Sequence, residues 1–340
     1  MAYSGEEGSR PVQKATTNEE IVALLQDDMK GEHAAIIQYL QHAYKIGEDA
    51  GEVPSEIEGI ARDEMRHFRW LGELVVELGG DPTMQRDPIF LDGPSTNDLL
   101  ALDVDAEQRA IDQYRDHIAA IDNAKVKLYL QRILMDELFH QGKFKDFIEE
   151  LGGDSEKEVA GEDTGPWNKD PNPASQDLEL DSSGHARPAD LEREGRNDHP
   201  LVRMLNSRIQ QEYETILIYL HQAFISQSEK QRDHLISDRA VWHMTHMGTL
   251  GEAIAGMDER PNMELDFSSA FLKQAPVEPG EFNRWALQRE ESLVQNTTEL
   301  REQARNVPEE DEDEDLAADL RRIEGHTKFQ VKQIQMDENY

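Results

Sequence analysis

The 340-residue sequence contains no cysteine, and this absence excludes several kinds of site. Disulfide bonds, Cys-ligated zinc or iron–sulfur centres and thiol catalysis all need the missing side chain. The sequence also lacks any run of 18 apolar residues, so we expect no membrane-spanning helix. The N-terminal residues are polar and carry no apolar signal-peptide core, which predicts a cytoplasmic location.

Basic residues are scarce relative to acidic ones. Lys and Arg number 35 against 71 Asp and Glu, so the formal net charge is −36. Such a surface repels nucleic-acid phosphates and anionic lipid, which predicts neither a nucleic-acid partner nor a membrane partner. Hydrophobic residues make up 37% of the chain, a value low enough to raise the question of disorder. Their strong periodicity instead indicates a folded protein with a solvated acidic surface, and we hypothesise a salt-adapted cytoplasm.

The composition divides the chain into two helical blocks joined by a linker. Residues 1–17 are interpreted as a flexible N-terminal arm, and residues 18–151 as the first block. Residues 152–197 are rich in Pro, Gly and acidic side chains and lack sustained apolar periodicity, which is typical of a linker. The second block covers residues 198–340. Because no strand pattern is present, the predicted fold class is all-α, with two four-helix bundles in tandem.

Four stretches of the first block carry apolar residues at three-and-four spacing, the pattern of helices that face a bundle core. They predict helices over about residues 19–47, 55–78, 97–121 and 124–151. The second and fourth stretches end in Gly79-Gly80 and Gly152-Gly153, which are typical C-cap residues.

The second block repeats the first at a nearly constant spacing. The sequence around Glu32 matches that around Glu212 at an offset of 180 residues. Met65 matches Met244 at an offset of 179, and the match extends through the following Leu-Gly-Glu and Pro-x-Met. A near-constant offset over such a length is hard to obtain by chance, so we predict a duplicated unit.

Each predicted helix of the first block carries a carboxylate on its otherwise apolar stripe. Two helices add a histidine three residues later, and residues three apart share a helix face. The six residues are Glu32, Glu64, His67, Glu107, Glu137 and His140. Burying four carboxylates without compensation is prohibitive, and a pair of metal ions supplies that compensation. The mixed oxygen and nitrogen donors suit iron or manganese better than calcium or zinc.

With these residues the sequence resembles the ferritin-like superfamily, in particular its bacterioferritin and rubrerythrin branch. The similar stretches are GEHAAIIQYLQHA, ARDEMRHFRWLGELVVELGGDP and DELFHQ. The resemblance implies ferritin-like bundles and a di-iron centre held by the six residues, with Glu64 and Glu137 as the bridging carboxylates. It also implies that Tyr39, seven residues after Glu32, lies beside the site. The other interpretation of Tyr39 is an aromatic core residue.

The second block keeps only part of this pattern. Glu212 is retained, but a histidine, His243, replaces the glutamate of the first Glu-x-x-His turn. Either Glu290 or Glu291 matches the carboxylate of the third helix. The alternatives are an altered metal site formed by Glu212, His243 and His246, and a degenerate scaffold without metal.

Met65 lies about 100° from Glu64 around its helix and so faces away from the site. In bacterioferritins a Met at this motif position ligates haem on a dimer axis, and the duplicated residue here is Met244. The resemblance therefore implies an internal pseudo-dimer of the two blocks with haem between the two methionines. The alternative is that both are apolar contacts between the blocks.

The function that the resemblance implies is oxidation of Fe²⁺ by dioxygen or peroxide, in iron homeostasis or peroxide detoxification. Iron and the oxidant are then the partners, and further homo-oligomerisation is compatible with this function. Two alternatives stay open. One is a non-catalytic helical interaction or structural protein, and the other is a di-manganese catalase-like or di-iron oxygenase enzyme.

Overall fold

The structure is a computed structural model, and it describes residues 14–47, 50–153, 200–257, 259–265, 267, 272–305 and 314–337. Within these ranges the regular secondary-structure elements are all helices, and the only β-type pairing is an isolated bridge between Ala15 and Ile121. The predicted all-α fold is therefore confirmed. None of the described helices is both long and apolar enough to cross a bilayer. The predicted linker lies outside the described residues except for its first two positions.

The same order of four helices occurs twice along the chain. The first series is α1 (Asn18–Ile46), α2 (Val53–Glu77), α3 (Thr96–Ala120) and α4 (Ala124–Glu150). The second series is α5 (Pro200–Ile225), α6 (Glu229–Leu235), a π-helical turn (Ile236–Ala240), α7 (Val241–Ala255), α8 (Pro279–Ala304) and α9 (Glu314–Asp337). Since α6, the π-helical turn and α7 follow one another without a gap, together they occupy the place of α2. The predicted bounds of the first four helices lie within two residues of the observed ones.

The chain forms two compact units whose boundary differs from that of the predicted blocks. The first unit comprises Met1–Ile36 and Ile60–Val159, and the second comprises Ile37–Gly59 and Ala160–Tyr340. The end of α1 and the start of α2 therefore belong to the second unit. There Tyr44 packs closely on Gly251 of α7, where an added Cβ would lie 2.5 Å from Tyr44 Cε2.

The start of α1 is fixed by a reciprocal cap. Thr17 Oγ1 accepts a hydrogen bond from the backbone N–H of Glu20, and the Glu20 carboxylate accepts from the N–H groups of Thr16 and Thr17. Just before this cap, the N–H of Ala15 donates to the carbonyl of Ala120 at 3.1 Å. These contacts tie residues 14–17, the last part of the segment interpreted as a flexible arm, to the start of α1 and the end of α3. The rest of that segment lies outside the described residues.

Glycines end α2 and α4 as predicted. Gly79 and Gly152 have φ angles of 89° and 75°, in the left-handed region that favours glycine. The N–H of Gly80 donates to Val75 O at 2.9 Å, and the N–H of Gly153 donates to Ile148 O at 2.8 Å. These are Schellman caps, which satisfy the last carbonyls of each helix and turn the chain away.

Buried apolar residues of the predicted stripes lie on both sides of the predicted metal ligands along α1 and α4. On α1, Leu25 and Met29 precede Glu32, and on α4 Ile133 and Phe144 flank the pair formed by Glu137 and His140; these apolar side chains are fully buried. The helix faces that carry the carboxylates are therefore the faces turned to the core of the first unit.

Candidate metal centre

The first unit brings together the six residues predicted as metal ligands. One carboxylate comes from each of α1 to α4, and α2 and α4 each add a histidine one turn later. All six side chains are buried: Glu32, Glu64, His67, Glu107, Glu137 and His140. Their donor atoms form two groups, and within each group the atoms lie within 4.8 Å of one another. The first group is Glu32, Glu64, His67 and Glu137, and the second is Glu64, Glu107, Glu137 and His140.

Glu64 and Glu137 belong to both groups. Glu64 Oε2 lies 2.8 Å from His67 Nδ1, and its Oε1 lies 2.9 Å from His140 Nδ1. Glu137 reaches the same two imidazoles, with Oε1 3.0 Å from His67 Nδ1 and Oε2 3.9 Å from His140 Nδ1. Each of these two carboxylates therefore spans the two donor groups, whereas Glu32 and Glu107 each belong to one.

The outer nitrogen of each imidazole faces an aspartate. Asp136 Oδ2 lies 3.3 Å from His67 Nε2, and Asp63 Oδ2 lies 3.4 Å from His140 Nε2. Carboxylates in this position fix the orientation and tautomer of a metal-binding histidine. The sequence analysis did not identify these aspartates, although the repeated pattern Asp-Glu-x-x-His contained the signal.

Replacing Asp136 by Asn is expected to weaken metal binding by about ten- to a hundredfold, since an outer partner of a ligating histidine is lost. The measurement is a calorimetric titration of the full-length chain with Mn²⁺. Asp112→Asn is the matched control, because Asp112 is exposed and pairs with Arg115 away from the site. Equal affinities for the Asp136 variant and the wild type would contradict the orienting role.

The buried carboxylates hold protons on their neighbours. Burial opposes the charge on His140, but the Glu64 carboxylate raises the pKa of that imidazole to about 9. Burial likewise opposes the charge on His67, and Glu32 and its neighbours raise the His67 pKa far above its usual range. Burial and the charge of Glu137 also raise the pKa of Glu32. The cluster thus attracts positive charge strongly, as a cation site must.

The donor set fits a pair of metal ions. Four carboxylates carry a formal charge of −4, which two divalent ions balance, and the two imidazoles add one nitrogen for each ion. Glu64 Oε1 and Glu137 Oε1 lie near imidazole nitrogens but have no hydrogen bond, although both oxygens are buried. Buried acceptors without hydrogen bonds are costly, and coordination to a metal would satisfy them.

A tyrosine that the sequence analysis did not single out contacts the site. The Tyr114 hydroxyl donates a hydrogen bond to Glu32 Oε1, and the ring is buried. Burial and the Glu32 carboxylate raise the pKa of Tyr114, so the phenol stays protonated and remains a donor. The sequence signal was its position seven residues after Glu107, which repeats the spacing from Glu32 to Tyr39.

Three other residues were predicted near cofactors, and the structure gives their burial and their compact unit. Tyr39 is buried but belongs to the second compact unit, so its role beside the first centre stays a prediction. Met65 and Met244 are both half-buried, and they belong to different units. Their predicted haem ligation likewise stays a prediction.

The second unit brings together the residues of the altered pattern. His243 Nδ1 contacts the Glu212 carboxylate, and His243 Nε2 lies 3.0 Å from Glu290 Oε1. His246 Nδ1 lies 3.1 Å from Glu212 Oε1. Of the two candidate carboxylates on α8, Glu290 is buried and in contact, whereas Glu291 is exposed.

An arginine also enters this second centre. Arg208 is buried on α5, and its Nη2 lies 2.7 Å from Glu212 Oε1. Arg208 Nε donates to Thr297 Oγ1 at 3.1 Å, and the Tyr219 hydroxyl donates to Glu290 Oε1 at 2.6 Å. The sequence analysis did not identify Arg208, because it considered only residues that could bind a metal. A side chain whose positive charge could replace that of the metal was not considered.

Residues 22–151 match the family model described as ferritin-like domain. A bacterioferritin of Desulfovibrio desulfuricans is 28% identical over 162 residues, which cover 45% of this chain and 88% of the relative. A bacterioferritin of Streptomyces coelicolor is 30% identical over 142 residues, covering 39% of this chain and 84% of the relative.

Solved structures are similar over comparable lengths. The D. desulfuricans bacterioferritin shares 26% identity at a TM-score of 0.37, covering 40% of this chain and 83% of that one. A manganese catalase from Anabaena shares 18% identity at a TM-score of 0.36, covering 48% and 85%. The 30% identity to the S. coelicolor bacterioferritin extends over 84% of that protein's length, which is enough to assign this chain to the same superfamily. This chain belongs to the ferritin-like superfamily.

Proposed function

We propose that the first unit binds two metal ions and oxidises Fe²⁺ with dioxygen or peroxide. The observation that carries the proposal is the pair of buried donor groups that share Glu64 and Glu137. Both sequence relatives reported above are named bacterioferritin, which favours iron as the metal. The buried carboxylates favour Fe³⁺ over Fe²⁺, because the higher charge gains more from a site of formal charge −4.

Each residue has a role in this proposal. Glu64 and Glu137 belong to both donor groups, so they would hold both ions and keep them close enough to react with one oxidant. His67 and His140 add one nitrogen ligand each. The outer aspartates hold these imidazoles in place, and Tyr114 fixes Glu32 through its hydrogen bond.

The bound ions supply the electrons. Two Fe²⁺ ions give two electrons, which together with two protons reduce dioxygen to hydrogen peroxide or hydrogen peroxide to two water molecules. The carboxylates hold the ions at fixed positions and accept no electrons themselves. The protons that the imidazoles carry in the metal-free protein leave when metal binds, since metal ligands must be deprotonated.

The test uses the full-length chain, freed of metal and loaded anaerobically with Fe²⁺. Elemental analysis is expected to give two ions per chain. Stopped-flow absorbance after mixing with dioxygen or peroxide is expected to show oxidation at least about a hundredfold faster than for Fe²⁺ in buffer. Bound iron that oxidises no faster than in buffer would instead favour the non-catalytic helical protein.

Two further measurements separate the remaining alternatives. Purified protein that contains manganese and releases oxygen from peroxide would favour the catalase-like enzyme, since the same donor set suits both metals. Absorption in the Soret region of the purified protein tests the haem predicted at Met65 and Met244.

A further inference from the structure

The centre of the second unit has lost two of the four carboxylates of the first. His243 stands at the position of Glu64, and Ile323 stands three residues before His326, where the first unit has Glu137 three residues before His140. The carboxylates that face His243 are those of Glu212 and Glu290. Glu64 and Glu137, which belong to both donor groups of the first unit, therefore have no carboxylate counterpart in the second unit.

A permanent cation has been gained at the same centre. Arg208 lies one turn before Glu212 on α5, is 2% exposed, and has its Nη2 2.7 Å from Glu212 Oε1. In the first unit the position one turn before Glu32 is Asp28, which carries the opposite charge. Asp28 Oδ1 lies 2.7 Å from His117 Nδ1 and so is engaged with α3. The substitution at this position reverses the charge one turn from the retained glutamate.

A second substitution makes room for the arginine. Thr297 lies seven residues after Glu290, where the first unit has Tyr114 seven residues after Glu107. The Tyr114 phenol reaches the glutamate of α1 directly, whereas Thr297 is too short to do so and accepts a hydrogen bond from Arg208 Nε instead. The Arg208 guanidinium therefore contacts Glu212 in the second unit, whereas the Tyr114 phenol contacts the corresponding Glu32 in the first.

Cationic and hydrogen-bonding groups already contact both carboxylates of the second centre. Glu212 contacts the Arg208 guanidinium and His243 Nδ1, and Glu290 Oε1 lies 3.0 Å from His243 Nε2 and accepts a hydrogen bond from Tyr219. A metal ion would have to displace the guanidinium from Glu212 and break the contacts of His243 with both carboxylates, and this costs free energy.

We infer that Arg208 closes the second centre to metal, so that the chain binds metal through its first unit alone. The buried contacts of Glu212 with Arg208, His243 and His246 then take the place of a metal site. The inference stands on the second unit by itself and does not rest on the proposed oxidation of iron.

The test is a Co²⁺ titration of the full-length chain carrying Glu64→Ala and Glu137→Ala, which removes the first centre. With Arg208 intact, no stoichiometric Co²⁺ binding is expected by calorimetry or by the visible absorption of bound Co²⁺. Adding Arg208→Gln is expected to create one site per chain, with affinity raised about a hundredfold or more. Adding His246→Ala to that variant is expected to abolish the new site.

Arg203→Gln in the same background is the matched control, because Arg203 is an exposed arginine on the same helix. This control is expected to bind no Co²⁺. If Arg208→Gln fails to fold by circular dichroism, the pair Arg208→Asp and Thr297→Tyr restores the residues of the first unit and is expected to bind one ion.

Two results would overturn the inference. One is stoichiometric Co²⁺ binding with Arg208 intact, and the other is no gain of metal in a folded Arg208 variant. The wild-type chain separates this inference from the proposed function. Three bound ions per chain would contradict the inference, whereas none would contradict only the first-unit centre.

Discussion

Replacing either Glu64 or Glu137 by Ala is expected to abolish the binding of both metal ions, because each carboxylate belongs to both donor groups. Replacing Glu32 or Glu107 by Ala is expected to cost one ion, since each belongs to one group. In anaerobic Fe²⁺ titrations the bridging variants then bind none and the terminal variants one. The rate of Fe²⁺ oxidation should fall at least about a hundredfold in the bridging variants.

The contrast between bridging and terminal variants is the decisive part of this experiment. All four variants remove one buried carboxylate from the same cluster, so a general loss of stability affects them alike. Glu150→Ala provides the background value, since Glu150 is exposed at the end of α4. Two ions bound by a Glu64 or Glu137 variant, with the wild-type oxidation rate, would show that the bridging assignment is wrong.

Most of the first unit could be predicted from the sequence because two patterns reinforced each other. The three-and-four spacing of apolar residues located the helices, and the glycine pairs located the ends of α2 and α4. A carboxylate in the middle of an apolar stripe is costly unless it is compensated, so Glu32, Glu64, Glu107 and Glu137 stood out as candidate ligands. Their burial at one place in the unit agrees with that interpretation.

The supporting residues were harder to predict, because their roles depend on how neighbouring helices are placed and rotated. Asp63 and Asp136 each precede a ligand on their own helix but contact the histidine of the other helix. Tyr114 lies on an apolar stripe like any core aromatic, and only its distance to Glu32 reveals its hydrogen bond. Side-chain periodicity within one helix contains no information about such contacts between helices.

The second unit shows the same limit more clearly. An arginine in a helix of an acidic protein is typical of a solvated surface, and Arg208 is instead among the buried side chains. Its burial follows from two changes on different helices, the loss of an acidic residue on α5 and the loss of a tyrosine on α8. The division of α1 between the two compact units was also beyond the sequence, since the apolar pattern of α1 runs through Ile36 without interruption.

Metal binding is expected to reverse the effect of Glu137→Gln on stability. Without metal, Glu32 has a raised pKa because it is buried and because Glu137 is charged. Removing that charge relieves the repulsion, so in excess chelator the variant is expected to be more stable than the wild type.

With metal bound, the stability difference between Glu137→Gln and the wild type is expected to change sign. An ion that binds only the folded chain at about a thousand times its dissociation constant adds about 4 kcal/mol to the free energy of unfolding, and the wild-type chain gains this from each ion. Glu137→Gln removes a carboxylate shared by both groups and loses most of the gain. Saturating Mn²⁺ should therefore leave the wild type more stable by several kcal/mol, on the order of 4 kcal/mol or more.

The measurement is urea unfolding followed by circular dichroism, with chelator and with Mn²⁺. Glu150→Gln is the matched control, because it removes the same charge from an exposed position on α4. It is expected to change the free energy of unfolding by the same amount in chelator and in Mn²⁺. A Glu137 variant that is less stable than the wild type in chelator would show that the metal-free cluster is held by ion pairs to His67 and His140 more than it is strained by repulsion. A variant stabilised by Mn²⁺ as much as the wild type would show that Glu137 does not bind the ions. The predicted reversal therefore tests, in one experiment, whether the Glu137 carboxylate both destabilises the metal-free fold and holds the metals.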